Sequence, residues 1–234
     1  MKIGVSTKAL GYWWYKDIDF DVVEIGRSGA LFFDTEWIDK NIPKGLDYSV
    51  HSKTKKVFSD VSQFTRAETE MLKAEIVACD MIGAKELVFH LKNKKLTETE
   101  GEALQEVIDF SKEHNVKMVY ESPSKLRADV SLDVLQRFDV GYNLDLGHLN
   151  CGVVNETIGC SMDEFIERVK DRVMYVHAHN NYGKDDHLAL NNGSLDWKRV
   201  LDKLDLNDAK VVIEVKNRED VMNSKRELEE YFGC

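Results

Sequence analysis

Short apolar segments that recur along the whole chain are the feature that most restricts its fold. Each is four to six residues long and rich in valine, isoleucine, tyrosine and phenylalanine. Strands buried on both faces of a parallel sheet have this composition. We therefore predict eight strands, at residues 2–6, 21–26, 46–51, 86–90, 116–121, 140–145, 172–177 and 210–215.

Segments with a helical pattern lie between many of these strands. In residues 65–82, apolar side chains recur on one side of the predicted helix, and Gly83 marks its end. Thr97 and Glu100 form a capping-box pattern that opens a helix ending near His114. Further helices are predicted after Ser161, where Glu164 repeats the capping pattern, from Ser194, and over residues 219–232.

Alternation of strands with helices implies parallel strands joined by right-handed crossovers. Eight strands, each with a following segment, favour a closed (β/α)8 barrel, the TIM barrel, over an open doubly wound sheet. The open sheet usually carries a glycine-rich phosphate loop after its first strand, and residues 7–15 contain no such motif. The connections after strands one, two and six look short or poorly helical, so we expect a trimmed barrel. No linker interrupts the sequence, and residues 1–234 are predicted to form a single domain.

Composition limits the classes of function. A formal net charge of −10 argues against extended binding to nucleic-acid phosphates, although a local basic patch stays open. The four cysteines include no CxxC pair, which favours free thiols over disulfides or a zinc knuckle. No apolar run reaches the length of a membrane span, and the N-terminus lacks a signal-peptide pattern. We expect no membrane partner and a cytoplasmic location.

Polar residues gather where the predicted strands end. Because the C-terminal ends of barrel strands converge on one face, these side chains are expected to meet there. One buried histidine is usually an ordinary core residue, but a series of them on successive strands favours a divalent-metal site. The residues at or just after the strand ends are His51, His90, Glu121, Asp145, His148, His177, His187 and Glu214.

The densest polar stretch covers residues 177–197. Asp185 and His187 form an Asp-x-His pair that could share a metal in an extended loop. His179 should face the same way as His177, because side chains alternate along a strand, and it is therefore a candidate for substrate contact. The alternative is a polar loop that leads into a helix.

Two further features are candidates for binding substrate. Trp13 and Trp14 follow the first strand and could wall a sugar pocket, or could pack the loop onto the barrel rim. Lys216 lies two residues beyond Glu214 and could bind a carboxylate or phosphate, or could be a solvated lysine.

Five short motifs at or after the ends of strands four to eight together resemble those of the xylose-isomerase-like TIM barrel superfamily. They are "VFH", "YES", "LDLGH", "HAHNN…DDH" and "IEV". The resemblance implies a sugar isomerase or epimerase in which Glu121, Asp145, His177 and Glu214 hold one metal. It also implies that Glu121 and Glu214 act as the acid/base pair and move a proton through a metal-stabilised enediolate. The substrate would be a small sugar or a similar carbonyl compound.

The alternative to an isomerase is a nuclease similar to endonuclease IV, which is grouped in the same superfamily. That resemblance implies three metals, nucleic acid as partner and cleavage of abasic DNA, with lysine-rich segments 51–56 and 90–95 as a basic groove. Asp185 is preferred to Asp186 on its spacing from His187, and Asn180 replaces a usual aspartate. The nine implied ligands are His51, His90, Glu121, Asp145, His148, His177, Asp185, His187 and Glu214.

The expectation for cofactors is one to three divalent ions per chain, with zinc or manganese as the best match to these ligands. We expect the isomerase or epimerase, with the nuclease as the alternative and a non-enzymatic barrel as the least favoured hypothesis. The superfamily also allows a homo-oligomer.

Overall fold

The computed structural model describes residues 1–7, 19–26, 46–53 and 66–233. Eight parallel strands, paired in chain order from β1 to β8, close into a barrel as β8 pairs with β1. The predicted α/β TIM barrel is thereby confirmed. The strands are β1 Lys2–Ser6, β2 Val22–Gly26, β3 Asp47–His51, β4 Glu86–His90, β5 Lys117–Glu121, β6 Gly141–Asp145, β7 Val173–Ala178 and β8 Lys210–Ile213.

Within the described residues, seven α-helices surround the barrel. One helix follows each of β3, β4, β5, β7 and β8, and two follow β6, whereas the connections after β1 and β2 fall largely on residues outside those described. None of these helices is long and apolar enough to span a bilayer. The helices are α1 Arg66–Ile82, α2 Glu98–Glu113, α3 Ala128–Arg137, α4 Leu146–Val154, α5 Met162–Val169, α6 Trp197–Leu201 and α7 Arg218–Phe232, and a 3-10 turn covers Lys170–Arg172.

The expectation of a poorly helical connection after strand six is wrong, because α4 and α5 both lie there. Helix α4 has the sequence LGHLNCGVV, and all its residues from Leu146 to Gly152 are buried. A helix buried on every side carries no alternation of apolar and polar faces. Its sequence therefore lacks the apolar period that predicted the helix over residues 65–82. The helix Ala128–Arg137 was also not among the predicted helices.

Helix starts follow the capping chemistry. The capping box of Thr97 and Glu100 is present at the start of α2. The predicted start at Ser194 is wrong, because α6 begins at Trp197, where Asp196 accepts a hydrogen bond from the Arg199 backbone N–H at 3.2 Å. The hydroxyl of Ser194 instead accepts a hydrogen bond from the amide of Asn150.

The barrel interior is layered, and the layers place the functional end. A buried apolar layer contains Val22, Val88, Val119, Tyr175 and Val212. Side chains alternate along a strand, so the residue two positions farther along each of these strands also faces inward. Those residues are Glu24, His90, Glu121, His177 and Glu214.

A second charged cluster lies at the N-terminal end of the barrel. The Lys210 ammonium is 2.9 Å from Asp47 Oδ1 and 2.5 Å from Glu86 Oε2. Lys2 reaches the other oxygen of Asp47 at 2.7 Å. Lys210 and Glu86 are buried, and the apolar layer separates this cluster from the polar residues at the strands' C-terminal ends. Contacts at this end serve stability, because active sites of these barrels lie at the opposite end.

Candidate metal centre

The polar residues predicted as ligands lie at the C-terminal end of the barrel, because most of them end a strand or follow one directly. His51, His90, Glu121 and Asp145 are the last residues of β3, β4, β5 and β6. The register of the sheet places His90 directly beside Glu121, and Asp145 beside His177. Glu214 follows β8 immediately. Parallel pairing in a closed barrel therefore assembles side chains that are far apart in the sequence.

The carboxylate of Glu121 lies at the centre of the cluster and is fully buried. Its Oε2 atom is 3.2 Å from His51 Nε2 and 3.1 Å from His177 Nδ1. Its Oε1 atom is 3.5 Å from His90 Nε2 and 3.3 Å from His148 Nδ1. Imidazoles from four different elements thus surround one carboxylate.

The Nδ1 atom of His177 is the point on which the carboxylates converge. It lies 3.1 Å from Glu121 Oε2, 3.1 Å from Glu214 Oε2 and 3.6 Å from Asp145 Oδ2. These are the four residues that the resemblance to ketose epimerases implies as ligands of one metal. The structure brings all four together around one buried position.

The remaining predicted ligands extend this centre along one side. His148 Nδ1 donates to the Ser122 carbonyl at 2.7 Å, and its Nε2 atom lies 3.3 Å from Asp185 Oδ2. The other Asp185 oxygen is 3.4 Å from His187 Nε2. Asp185, rather than Asp186, therefore links the two histidines. His187 adopts a left-handed backbone conformation, with φ of 51°, and its Nδ1–H donates to the Glu214 carbonyl at 3.0 Å.

His179 is fully buried between these two halves of the centre. Its Nε2 atom is 3.0 Å from Asp145 Oδ1, and its ring stacks on that of His187 with centroids 4.3 Å apart. Helix α4 gives the ring room because it has glycine at position 147. A Cβ atom on Gly147 would lie 1.9 Å from His179 Cε1.

Electrostatic interactions between imidazoles and carboxylates shift the pKa values of the centre. Burial alone would raise the pKa of Glu121, but the imidazoles of His90 and His177 outweigh it and hold that pKa well below its ordinary value. Burial lowers the pKa of His177, but Glu24, Glu121 and Glu214 outweigh it and raise that pKa well above its ordinary value. Burial likewise lowers the pKa of His148, yet Asp145 and Asp185 raise it to about 9. Each imidazolium therefore stands where a cation could balance the same carboxylates.

The donor set fits a divalent cation. Among the described residues, Glu121 Oε1 and His179 Nδ1 are buried atoms that accept or donate no hydrogen bond. Buried lone pairs of this kind are costly unless something binds them. Mixed carboxylate and imidazole donors suit zinc and manganese. Five groups of three donors lie within 4.8 Å of one another among the described residues, and His177 occurs in the first of them: Glu24 with His51 and His177, His51 with His90 and Glu121, Glu121 with Asp145 and His148, Asp145 with His179 and Glu214, and His179 with Asp185 and His187.

Two buried polar residues at the centre are absent from the sequence-based predictions. Glu24 lies in the middle of β2, and its Oε2 atom is 2.8 Å from His177 Nε2. Asn143 in β6 donates its amide to Glu121 Oε2 at 3.0 Å. Attention to strand ends missed both, although a charged residue inside the apolar run VVEIG is itself a signal of a buried polar contact.

The structure describes only two of the four predicted substrate contacts, Lys216 and His179. Lys216 is exposed to solvent, whereas His179 is buried in the centre. Trp13 and Trp14 lie outside the described residues.

Comparisons with known proteins agree with the fold and the motifs. The family described as "Xylose isomerase-like TIM barrel" matches residues 14–231. Uncharacterized protein MJ1311 of Methanocaldococcus jannaschii is 30% identical over 144 residues, which are 55% of this chain and 47% of that protein. The match thus spans about half of that relative's length.

Solved structures extend the comparison over the full chain. A D-tagatose 3-epimerase-like protein superposes with a TM-score of 0.75 at 22% identity, covering 100% of this chain and 97% of its own. The TTHB071 protein of Thermus thermophilus, soaked with ZnCl2, superposes with a TM-score of 0.72 at 17% identity, covering 100% and 98%. Identities this low show a shared fold, and the family match confirms the resemblance drawn from the motifs. The chain belongs to the xylose isomerase-like TIM-barrel family.

Proposed function

We propose that this protein is a divalent-cation-dependent isomerase or epimerase acting on a small sugar or a similar carbonyl compound. One observation carries the proposal: the carboxylates of Glu121 and Glu214 each lie 3.1 Å from His177 Nδ1, with Asp145 beside them. Two buried carboxylates at one cation site can serve as the base and the acid for proton transfer next to a carbonyl. Similarity to the D-tagatose 3-epimerase-like protein supports the same reaction class.

Glu121, Asp145, His177 and Glu214 would hold the cation. When bound, a divalent cation acts as a Lewis acid that polarises the substrate carbonyl and lowers the cost of removing a neighbouring proton. These four side chains are nearly inaccessible to solvent, with exposures of 0 to 2%. Exclusion of water strengthens every electrostatic interaction at the site.

The proton would be moved by the two glutamates. Glu121, as the ionised carboxylate, would accept the proton from the carbon beside the carbonyl. Glu214, entering protonated, would return a proton to the opposite face, which inverts that carbon. Glu121 then ends protonated and Glu214 ionised, so proton exchange with solvent must reset the pair before the next turnover.

Substrate contacts remain a part of the same proposal. His179 follows β7 directly and lies beside Asp145, so it stays a candidate for substrate contact at that edge of the centre. Lys216 is exposed and could contact an anionic group on a larger substrate. Trp13 and Trp14 remain candidates for walls of the sugar pocket.

A phosphodiesterase similar to endonuclease IV is the second candidate. The observation in its favour is the continuity of the centre, because Asp185 joins His148 and His187 to the inner carboxylates. A cluster that extends this far could hold more than one cation. The net charge of −10 weighs against a DNA substrate. We therefore favour the isomerase.

Three measurements test the proposal. Elemental analysis of the purified protein gives the cation and the number bound per chain. Incubation of the zinc- or manganese-loaded protein with D-fructose, D-tagatose or D-allulose in D2O should then place deuterium on the carbon beside the carbonyl, seen by NMR. Proton exchange reports the chemistry even where the product is a minor species. Cleavage of an abasic duplex without exchange into any ketose would replace the proposal with the second candidate.

A further inference from the structure

Glu24 is a buried carboxylate to which the proposed chemistry gives no role. It lies in the middle of β2, between two buried apolar neighbours, and its side chain is fully inaccessible. A charged group in such a place is costly unless it is paired. Because Glu24 faces the barrel interior, its role depends on the residue that its carboxylate contacts there.

That residue is His177, whose two ring nitrogens face different partners. Nε2 lies 2.8 Å from Glu24 Oε2, and both side chains are 0% exposed. Nδ1 faces the other way, 3.1 Å from Glu121 and 3.1 Å from Glu214. Glu24 therefore contacts the side of the ring that points away from the convergence of carboxylates.

Asn143 indicates where the ring proton lies when His177 is neutral. Its amide nitrogen, Nδ2, is 2.9 Å from His177 Nδ1. An amide NH2 group can only donate, so Nδ1 must accept. A neutral imidazole has one donor and one acceptor nitrogen, and the proton then belongs to Nε2, where Glu24 accepts it.

Neighbouring rings restrict the same imidazole. The Tyr175 ring meets it edge-on with centroids 5.6 Å apart, and the His51 ring stacks on it at 5.5 Å. These contacts limit how the ring tilts, but neither accepts its N–H. Glu24 at Nε2 and Asn143 at Nδ1 both favour the proton on Nε2. The carboxylates of Glu121 and Glu214 at Nδ1 would bind the cation in place of a proton, which leaves Nδ1 as the nitrogen with the free lone pair.

We infer that Glu24 is a positioning residue of the metal centre: by accepting the Nε2–H of His177, it presents the lone pair of Nδ1 to the cation. The inference rests on the proposed cation site. It assigns the cation to the Nδ1 side of His177, with Glu121 and Glu214, rather than to the group of Glu24, His51 and His177, so Glu24 touches neither cation nor substrate. A carboxylate behind a ligating histidine fixes its tautomer and orientation and raises its basicity as a ligand. Removal of Glu24 should therefore weaken cation binding without removing a ligand.

The test compares two Glu24 variants with a matched control. Glu24→Gln keeps an acceptor oxygen but removes the charge, and Glu24→Leu removes both. Glu86→Gln is the control, because Glu86 is also a buried carboxylate inside the barrel but contacts Lys210 at the opposite end. Zinc and manganese affinities are measured by chelator competition on protein whose fold is verified by circular dichroism. We expect a loss of about 10- to 100-fold for Glu24→Leu, a smaller loss for Glu24→Gln and none for Glu86→Gln.

Histidine tautomers give a readout that a merely structural role would not move. In 15N-histidine spectra of the zinc-loaded wild type, His177 should carry its proton on Nε2 and bind zinc through Nδ1. This measurement needs no variant, so it decides the matter even if the Glu24 variants do not fold. A proton on Nδ1, or unchanged affinity in folded Glu24→Leu, overturns the inference while leaving the cation site intact. If the wild type binds no cation, the proposed function fails, and the inference fails with it.

Discussion

Replacement of Gly147 by alanine should damage the site through a single steric contact. The added Cβ would lie 1.9 Å from Cε1 and 2.3 Å from Nδ1 of His179. Carbon atoms in contact are normally about 3.5–4 Å apart, so the ring must move by well over an ångström. That movement breaks the 3.0 Å contact between His179 Nε2 and Asp145, which helps to hold one of the proposed metal ligands.

The size of the effect follows from three contributions. Overpacking a buried position costs about 1–3 kcal/mol. Loss of a hydrogen bond to a charged group costs about 1.5–3 kcal/mol. Alanine at a helical position contributes about 1 kcal/mol of stabilisation relative to glycine. The net expectation is a decrease of about 1.5–5 kcal/mol in the free energy of unfolding, together with weaker cation binding.

Gly152 in the same helix provides the matched control. A Cβ atom there would meet Leu126 Cβ at 3.1 Å and no site residue, so only a small adjustment is needed. Gly152→Ala gains the same helical preference and should stay within about 1 kcal/mol of the wild type. Urea unfolding gives the free energies, and chelator competition gives the zinc affinity. Equal stability and equal affinity in the two variants would refute the steric account of position 147.

Three further outcomes are expected. Glu214→Gln should lower proton exchange into substrate by at least about 100-fold while the melting temperature stays near that of the wild type, and full activity would remove Glu214 from the acid/base pair. In metal-free protein the pKa of His148 is about 9 against 6.5 ordinarily, so its contribution of about 3 kcal/mol to the free energy of unfolding is complete below pH 6.5 and is lost as the pH rises through 9. Melting temperatures measured across this pH range should fall in the metal-free form and not in the zinc-loaded form. A flat pH profile in the metal-free form would contradict this expectation. Lys210→Met should lower the free energy of unfolding by about 3–5 kcal/mol, because it leaves Glu86 buried without its partner. Adding Glu86→Leu should recover most of that loss in thermal melts. A double variant as unstable as the single variant would argue against the pairing.

The strands were predictable because their apolar runs have few alternative explanations. β1 and β4 have the predicted bounds, and the others differ by one or two residues at their ends. Burial on both faces of a parallel strand leaves an uninterrupted apolar segment, which is visible without any knowledge of the neighbouring strands. The helix α4 had no such signal, because residues buried on all sides show no amphipathic period.

The candidate site was predictable to the extent that it lies at strand ends. His51, His90, Glu121 and Asp145 each end a strand, and barrel closure alone brings them together. The role of Glu24 depends instead on which atom of His177 it faces, and a sequence contains no information on the direction of a ring nitrogen. The same holds for Gly147: that this position cannot carry a side chain is seen only once the structure places the His179 ring against it.

The layered interior explains how one barrel can bury two charged clusters. Lys210 and its partners lie at the N-terminal end, the cluster around Glu121 lies at the C-terminal end, and the apolar layer that includes Val119 and Val212 separates them. Lys2 and Lys210 balance Asp47 and Glu86 at the N-terminal end. At the C-terminal end, imidazoles and the proposed cation balance the carboxylates, so neither cluster needs a partner across that layer. Substitutions at the N-terminal end should consequently change the free energy of unfolding without changing cation affinity, which is why Glu86 is a sound control for Glu24.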